Sequence, residues 1–311
     1  MHPPRDVAIV PWRRFGYNRL VGHSADVVLR PYTFSIQQED RRNMSASAFS
    51  TRYGPWAVIT GAARSQGLGA QFAHELAARG LNLVLIDIQA EELQSTAASI
   101  QATYRVEVKP VVLDLSRRDF LPELAAITDP LDVHLLICNH FFTPKNPELF
   151  LDSDLSIHQQ MLDVNARAYM TLTHHFGRRM RDQRRGGIIL VGSGAGLVSS
   201  PYTAGYSANK AYQLTLGEAL WYELRQAQVD VLVIPAPLMR TQTGLEKFPK
   251  PLIMDPRKVA KEALAALGKR HWVIVGLTTR LLLFFQTRIL PRQRSIRMSG
   301  DFMKKGLGIK D

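Results

Sequence analysis

From Trp56 onward, apolar runs of strand length alternate with longer segments of helical period, and this alternation constrains the fold more than any other feature of the chain. The short runs are Trp56–Thr60, Leu83–Ile86, Val108–Leu113, Val133–Cys138, Gly187–Val191 and Val231–Ile234. Between them lie Gly69–Arg79, Glu91–Tyr104, Asp119–Ile127, Ser156–Arg184 and Ala204–Gln228. Strands with one wet face alternate apolar with polar residues, whereas these runs are predominantly apolar and show no such alternation. Both faces of the sheet must therefore be covered, and the intervening helices supply the cover. Right-handed crossovers then wind the chain into an α/β fold with a doubly wound parallel sheet.

The flanking segments read differently. Residues 1–52 carry scattered Arg and Pro with no helical stripe or strand alternation, and are expected to form a disordered N-terminal extension. They lack the continuous apolar stretch of about 7–15 residues that a secretory signal needs. Asp6, Asp26, Glu39 and Asp40 weigh against an Arg-rich transit peptide, and Met44 opens a segment that looks like a natural start. Residues 53–276 are expected to hold the sheet as a single Rossmann-type domain. Within its last part, Asp255 caps a helix over Pro256–Leu267, and Trp272–Val275 resembles one more strand. Residues 277–311 are expected to form a helical, basic, amphipathic C-terminal extension.

A net charge of +12 raises nucleic acid and anionic membranes as partners, and its distribution decides between them. Residues 1–52 hold 8 basic and 4 acidic side chains, residues 53–244 hold 16 and 18, and residues 245–311 hold 15 and 5. The sheet region is near neutral, which argues against a nucleic-acid-binding core and towards a basic appendage. The apolar stretch around Leu281–Phe285 is bounded by Arg280 and Arg288, too short for the roughly 20 apolar residues of a membrane span. A Leu/Phe face beside Arg suits peripheral membrane contact. The plainer alternative is that it packs inward over the core or a substrate pocket. One cysteine, Cys138, rules out internal disulfides and a Cys-based zinc site, no metal site is expected, and a reducing, cytoplasmic compartment fits.

Two groups of residues carry chemistry. The turn after the first strand reads Gly61-Ala-Ala-Arg64-Ser-Gln-Gly67-Leu68-Gly69 and enters a helix. Glycine lets backbone approach a pyrophosphate, and the helix N-terminus offers N–H donors and a positive dipole. Asp87 ends the second strand, 20 residues beyond Gly67, where a carboxylate can bind ribose hydroxyls. The competing role for Asp87 is a helix N-cap. Further on, Tyr206 and Lys210 stand one helical turn apart, and Ser193 lies 13 residues before Tyr206 at the carboxyl end of the strand Gly187–Val191. A nearby ammonium is expected to lower the Tyr206 pKa from about 10 and make the phenol a competent proton donor and acceptor.

With these residues the chain resembles the short-chain dehydrogenase/reductases from about Trp56 to Thr243, with fainter similarity beyond. Within that family Tyr53–Gly61 and the basic C-terminus look most like the branch of hydroxysteroid dehydrogenases and long-chain 3-oxoacyl reductases. The resemblance implies Ser193, Tyr206 and Lys210 as catalytic residues, with Asn165 holding a proton-relay water. It implies cofactor contacts from Gly61, Arg64, Gly67, Leu68, Gly69, Asp87, Asp114, Asn139, Tyr206, Lys210, Pro235 and Thr241. It also implies NAD(H) or NADP(H) and hydride transfer with an alcohol or carbonyl carbon, and dimers or tetramers built through the two long helices. Asp87, which repels a 2′-phosphate, favours NAD(H). Leu238, Met239, Phe248 and Leu252 point to an apolar lid and hence a bulky apolar carbonyl or alcohol substrate.

Three departures from the family pattern stand out. Five residues, not three, separate Gly61 from Gly67; Cys138-Asn139-His140-Phe141 replaces the usual Asn-Asn-Ala-Gly; and Pro235-Ala236 replaces Pro-Gly. His140 could add a proton-transfer group or simply pack. The longer loop resembles that of enoyl-carrier-protein reductases, but their Tyr-(x)6-Lys spacing is absent. The same departures motivate a rival from another class, a catalytically silent nucleotide-binding protein acting as sensor or membrane-associated scaffold. The intact Ser193, Tyr206 and Lys210 set opposes it.

Overall fold

The computed structural model describes residues 45–144, 148–240 and 248–309. Six strands form one parallel sheet: β1 Trp56–Thr60, β2 Asn82–Asp87, β3 Val108–Val112, β4 Val133–Cys138, β5 Gly186–Val191 and β6 Val229–Ile234. Their order across the sheet is β3-β2-β1-β4-β5-β6, so the direction of winding reverses between β1 and β4. A crevice opens at the carboxyl ends of the strands at such a switch point. The helices between them are α2 Leu68–Ala77, α3 Ala90–Thr103, α4 Phe120–Thr128, α5 Leu155–Leu162, α6 Ala168–Gln183 and α7 Ala204–Leu224.

Successive strand residues point to opposite faces, and the unbroken apolar runs divide accordingly. Ala57, Ile59, Leu83, Leu85, Leu135 and Ile137 enter one core, with Phe72 and Leu76 of α2. Val58, Val84, Ile86, Leu136, Ile188 and Leu190 enter the other, with Tyr169 and Phe176 of α6. A strand that feeds two cores has few positions left for a polar side chain, which is why its sequence shows no alternation.

Three expectations need correction. The last part of the presumed N-terminal extension is a helix, α1 Ala46–Tyr53, capped by Ser45, whose hydroxyl accepts from Ala48 N. It buries Phe49 and Tyr53, and the Tyr53 hydroxyl donates to Asp230 at 2.7 Å, an acceptor that Arg52 shares at 2.6 Å. An eight-residue helix has too few turns to show a stripe; docking, not propensity, stabilises it. The folded unit thus extends ahead of residue 53, and residues 1–44 lie outside the described residues. Next, Trp272–Val275 is no full strand: its pairing with β6 is a single Val233–Trp272 bridge. Finally, the helix expected over Ser156–Arg184 contains a wider π-helical turn at Asp163–Arg167.

The C-terminal segment packs inward. Beyond the short ladder of β7 Leu238–Met239 with β8 Ile253–Met254 come α8 Pro256–Ala266, α9 Leu277–Phe284 and α10 Arg292–Leu307. Leu283 of α9 lies over Gly194, and Phe302 of α10 meets Phe248 edge to face at 5.1 Å. Arg292 donates to the Leu197 carbonyl and the Ser199 hydroxyl, both at 3.1 Å. These helices therefore roof the loop after β5. Their outer face remains apolar, with Leu277, Leu281, Phe285 and Ile289 exposed. Among the described residues no helix is long and apolar enough to cross a membrane.

Candidate active site

The end of β5 is strapped to the end of β6: Gly192 N donates to Ile234 O at 2.8 Å and Gly194 N to Ala236 O at 3.3 Å. Ser193 sits between these bonds and starts a short 3-10 turn, its hydroxyl accepting from Ala195 N. The turn presses against α7 at Gly196, where a Cβ would stand only 2.7 Å from Lys210 backbone, so no larger residue fits. Ser207 fixes the contact by donating to Ala195 O at 2.6 Å and accepting from Ser200 N at 3.1 Å. Tyr206 and Lys210, one turn apart on α7, are thereby brought to Ser193, whose hydroxyl is hydrogen-bonded to the Tyr206 phenol.

Lys210 is buried, with its Nζ donating to Gln213 Oε1 at 2.9 Å and to Val191 O at 3.3 Å. Burial lowers its pKa to about 7. Burial pushes the Tyr206 phenol up to about 12, opposed by the Ser193 hydrogen bond. The expected lowering of Tyr206 by its ammonium neighbour is therefore not found in this geometry. Desolvation disfavours charge on both groups, and Nζ points its bonds at the Val191 carbonyl and Gln213 while standing 5.5 Å from the centre of the Tyr206 ring.

Asn165 lies in the π-helical turn and is fully buried. Its side chain grips the loop after β4 from both sides: Nδ2 donates to Phe142 O at 2.7 Å and Oδ1 accepts from Phe142 N at 2.8 Å. The backbone carbonyl of Asn165 accepts from Gln213 Nε2 at 2.7 Å. A widened turn frees carbonyls for such outside donors, and turns of this kind recur at functional sites.

At the switch point, Gly61 has φ +68° and packs against His140. A Cβ on Gly69 would lie 2.2 Å from the Gly61 carbonyl, so α2 starts directly behind the turn. The two extra residues of the loop are accommodated in the exposed bend Arg64–Gln66, closed by Gly67 N donating to Arg64 O at 2.7 Å. Gly67 caps α2 without a side-chain bond, and Leu68 opens the helix buried. Open N–H groups behind a turn whose glycines carry no Cβ suit a dinucleotide pyrophosphate.

Asp87 does not cap α3, whose N-cap is Gln89, but closes the turn ahead of it: Oδ1 accepts from Ile88 N and Gln89 N. Its Oδ2 accepts from Ala63 N at 2.9 Å and ties the glycine turn to β2. A carboxylate offers about four acceptor sites, so one remains for a ribose hydroxyl. Asp114 follows β3 and caps its own turn through Ser116 N. Asn139 clamps the glycine turn to β4, its Nδ2 donating to Gly61 O at 2.9 Å. Pro235 is buried just beyond β6. Thr241 lies outside the described residues.

Comparison with known proteins matches residues 55–251 to the short chain dehydrogenase family. The chain belongs to that family. It is 31% identical over 240 residues to a 7beta-hydroxysteroid dehydrogenase of Clostridium sardiniense, covering 75% of this chain and 89% of the relative. It is also 31% identical over 231 residues to a very-long-chain 3-oxoacyl-CoA reductase of Meyerozyma guilliermondii, covering 71% and 67%. A solved structure from work on 7beta-hydroxysteroid dehydrogenase stereoselectivity superposes with a TM-score of 0.76 at 29% identity, covering 81% of this chain and 98% of that one. This short-chain dehydrogenase is an oxidoreductase that acts on CH–OH groups with a nicotinamide nucleotide.

Two further buried polar residues, His140 and Gln213, stand beside the Ser193, Tyr206 and Lys210 set. His140 is held on both sides: its Nδ1 lies 2.6 Å from Thr60 Oγ1 and its Nε2 3.1 Å from the Val164 carbonyl. A carbonyl only accepts, so Nε2 carries the proton. Burial, with Lys210 nearby, lowers its pKa to about 3. His140 is a neutral packing residue with both nitrogens engaged, and the proton-transfer alternative drops out. Tyr169 closes the same layer, its hydroxyl 3.0 Å from His140 O and 3.1 Å from Val191 O. The second residue, Gln213, went unnoticed in the sequence. The signal was available: it lies three residues after Lys210 and seven after Tyr206, a polar side chain on the same helical face.

Proposed function

We propose that the chain interconverts a bulky apolar secondary alcohol and its ketone, steroid-like or 3-oxoacyl in type. The convergence of Ser193, Tyr206 and Lys210 beside the glycine turn carries this reading. A silent scaffold has no physical need to bury an ionisable lysine next to a phenol at catalytic spacing. Gly61, Arg64, Gly67, Leu68, Gly69, Asp87, Asp114, Asn139, Pro235 and Thr241 are the residues assigned to hold the dinucleotide. When bound, the nicotinamide supplies or accepts the hydride. Ser193 donates to the substrate oxygen and fixes its position, and Tyr206 gives that oxygen its proton during reduction or takes it during oxidation. Lys210 holds positive charge behind the phenol and the nicotinamide ribose. Asn165 fixes the Phe142 loop that forms one wall.

The preference for bulk rests on the apolar surroundings of the opening. Phe141 is 46% exposed, with its ring 6.4 Å from that of Tyr206. Leu283 roofs Gly194, and the Phe248–Phe302 pair closes the far side. A panel of 7-oxosteroids, 3-oxoacyl thioesters and compact ketones, followed at the nicotinamide absorbance, tests the assignment. Turnover of the bulky members is expected, and exclusive turnover of the compact ketones overturns it.

NADH is the favoured nucleotide because Asp87 places a carboxylate, and Ile88 no cation, beside the ribose position. Fluorescence titration decides this, with tighter NADPH binding as the contrary result. Exposed Met170, Tyr212 and Tyr222 on α6 and α7 favour a homodimer or homotetramer through those helices. The exposed Leu and Phe residues of α9 beside Arg280 and Arg288 favour contact with an anionic membrane surface.

A further inference from the structure

We propose that Gln213 is a positioning residue for Lys210, its amide standing between the lysine ammonium and the Asn165 carbonyl. The inference rests on the dehydrogenase reading and deepens it. Gln213 is fully buried and its amide meets only two polar partners in the hydrogen bonds described: Oε1 accepts from Lys210 Nζ at 2.9 Å, and Nε2 donates to Asn165 O at 2.7 Å. The amide orientation is fixed by chemistry, because an ammonium only donates and a backbone carbonyl only accepts. A flipped amide would set donor against donor and acceptor against acceptor.

This has two consequences. Water can pass a proton because it donates and accepts at one atom, whereas an amide bridges two groups without exchanging their protons. The connection from Lys210 to the π-helical turn is therefore a strut and not a conduit. Second, Gln213 Oε1 is one of two acceptors that receive the ammonium; the other is Val191 O. The groups facing Lys210 from neighbouring elements are Tyr206 on α7, Tyr169 on α6, and Phe141 and neutral His140 after β4. Among the described residues no carboxylate pairs with it, and in the hydrogen bonds described Gln213 Oε1 is its one side-chain acceptor.

The test compares the wild type with Gln213→Leu and Gln213→Glu, using the 7-oxosteroid and 3-oxoacyl thioester probes with NADH, and reads kcat/KM across pH. Removing the acceptor in Gln213→Leu is expected to move the alkaline limb down by about one unit, a tenfold loss of proton affinity. Placing a carboxylate there in Gln213→Glu is expected to move the limb up by a similar amount. A purely structural role lowers activity at every pH and leaves the limb in place. Thermal unfolding checks integrity, and Gln213→Met, of equal length, replaces the leucine variant if that one fails to fold. Wild-type turnover with coincident limbs in all variants overturns the role of Gln213 and leaves the dehydrogenase reading standing. Absence of wild-type turnover on every probe overturns that reading instead, and the limb is then read from the pH dependence of NADH affinity.

Discussion

At the β1–α2 turn the candidate site is made of backbone, whereas at the β5–α7 junction it is made of side chains, a buried Lys210 beside half-buried Ser193 and Tyr206. Around Gly61, Gly67 and Gly69 what matters is the absence of Cβ atoms and the direction of N–H groups, held by Asn139 and Asp87. Around Ser193, Tyr206 and Lys210 what matters is protonation, which depends on how far α6, α7 and the loop after β4 exclude water. A backbone cradle tolerates exchange of its exposed residues, as the longer bend Arg64–Gln66 illustrates. A cluster of desolvated titratable groups tolerates little, because any change that admits water shifts their protonation.

The sharpest way to break this comparison is at the phenol. Tyr206→Phe is expected to lower kcat by about 10²–10⁴-fold while NADH affinity, read by fluorescence, changes little. Loss of both in parallel would mean that the two ends are not separable. Gly69→Ala should do the reverse, since its Cβ meets the Gly61 carbonyl at 2.2 Å. Overpacking of this kind costs about 1–3 kcal/mol, and nucleotide affinity is expected to fall by tenfold or more in equilibrium titration.

Away from both ends, Phe49→Ala should lower unfolding free energy by about 3–5 kcal/mol in denaturant melts, with KM values unaltered, because Phe49 is buried in α1 far along the chain from either. Unchanged stability would show that α1 is dispensable. The pH dependence gives the finest distinction. Lys210 loses its proton near pH 7 when folded against a usual value of 10.5. If the ammonium is the working form, kcat/KM is level below about pH 7 and falls tenfold per unit above it. By linkage the same group contributes rising stability between those two values, since there the unfolded chain binds a proton that the folded chain does not. A flat profile through pH 7–9 would remove Lys210 charge from the rate.

The legible parts of the site share a property: each is set by neighbours in sequence. Strand runs, the glycine turn entering α2, Asp87 at the end of β2 and the one-turn spacing of Tyr206 and Lys210 are short-range patterns. The parts that local pattern left open or did not show depended on distant contacts. Ala46–Tyr53 becomes a helix because Asp230, 177 residues beyond Tyr53, receives its hydroxyl. His140 is inert because Thr60 and Val164 engage both its nitrogens.

By itself, then, the sequence determined a two-faced parallel sheet, its switch point and the identity of the polar residues near it, since periodicity and turn chemistry are local. Tertiary structure alone decided which of those residues are charged and whom they touch. Desolvation raises Tyr206, lowers Lys210 and His140, and seats Gln213 between Lys210 and Asn165. The energy of a charge depends on everything packed around it, and that surrounding is assembled from segments far apart in the chain.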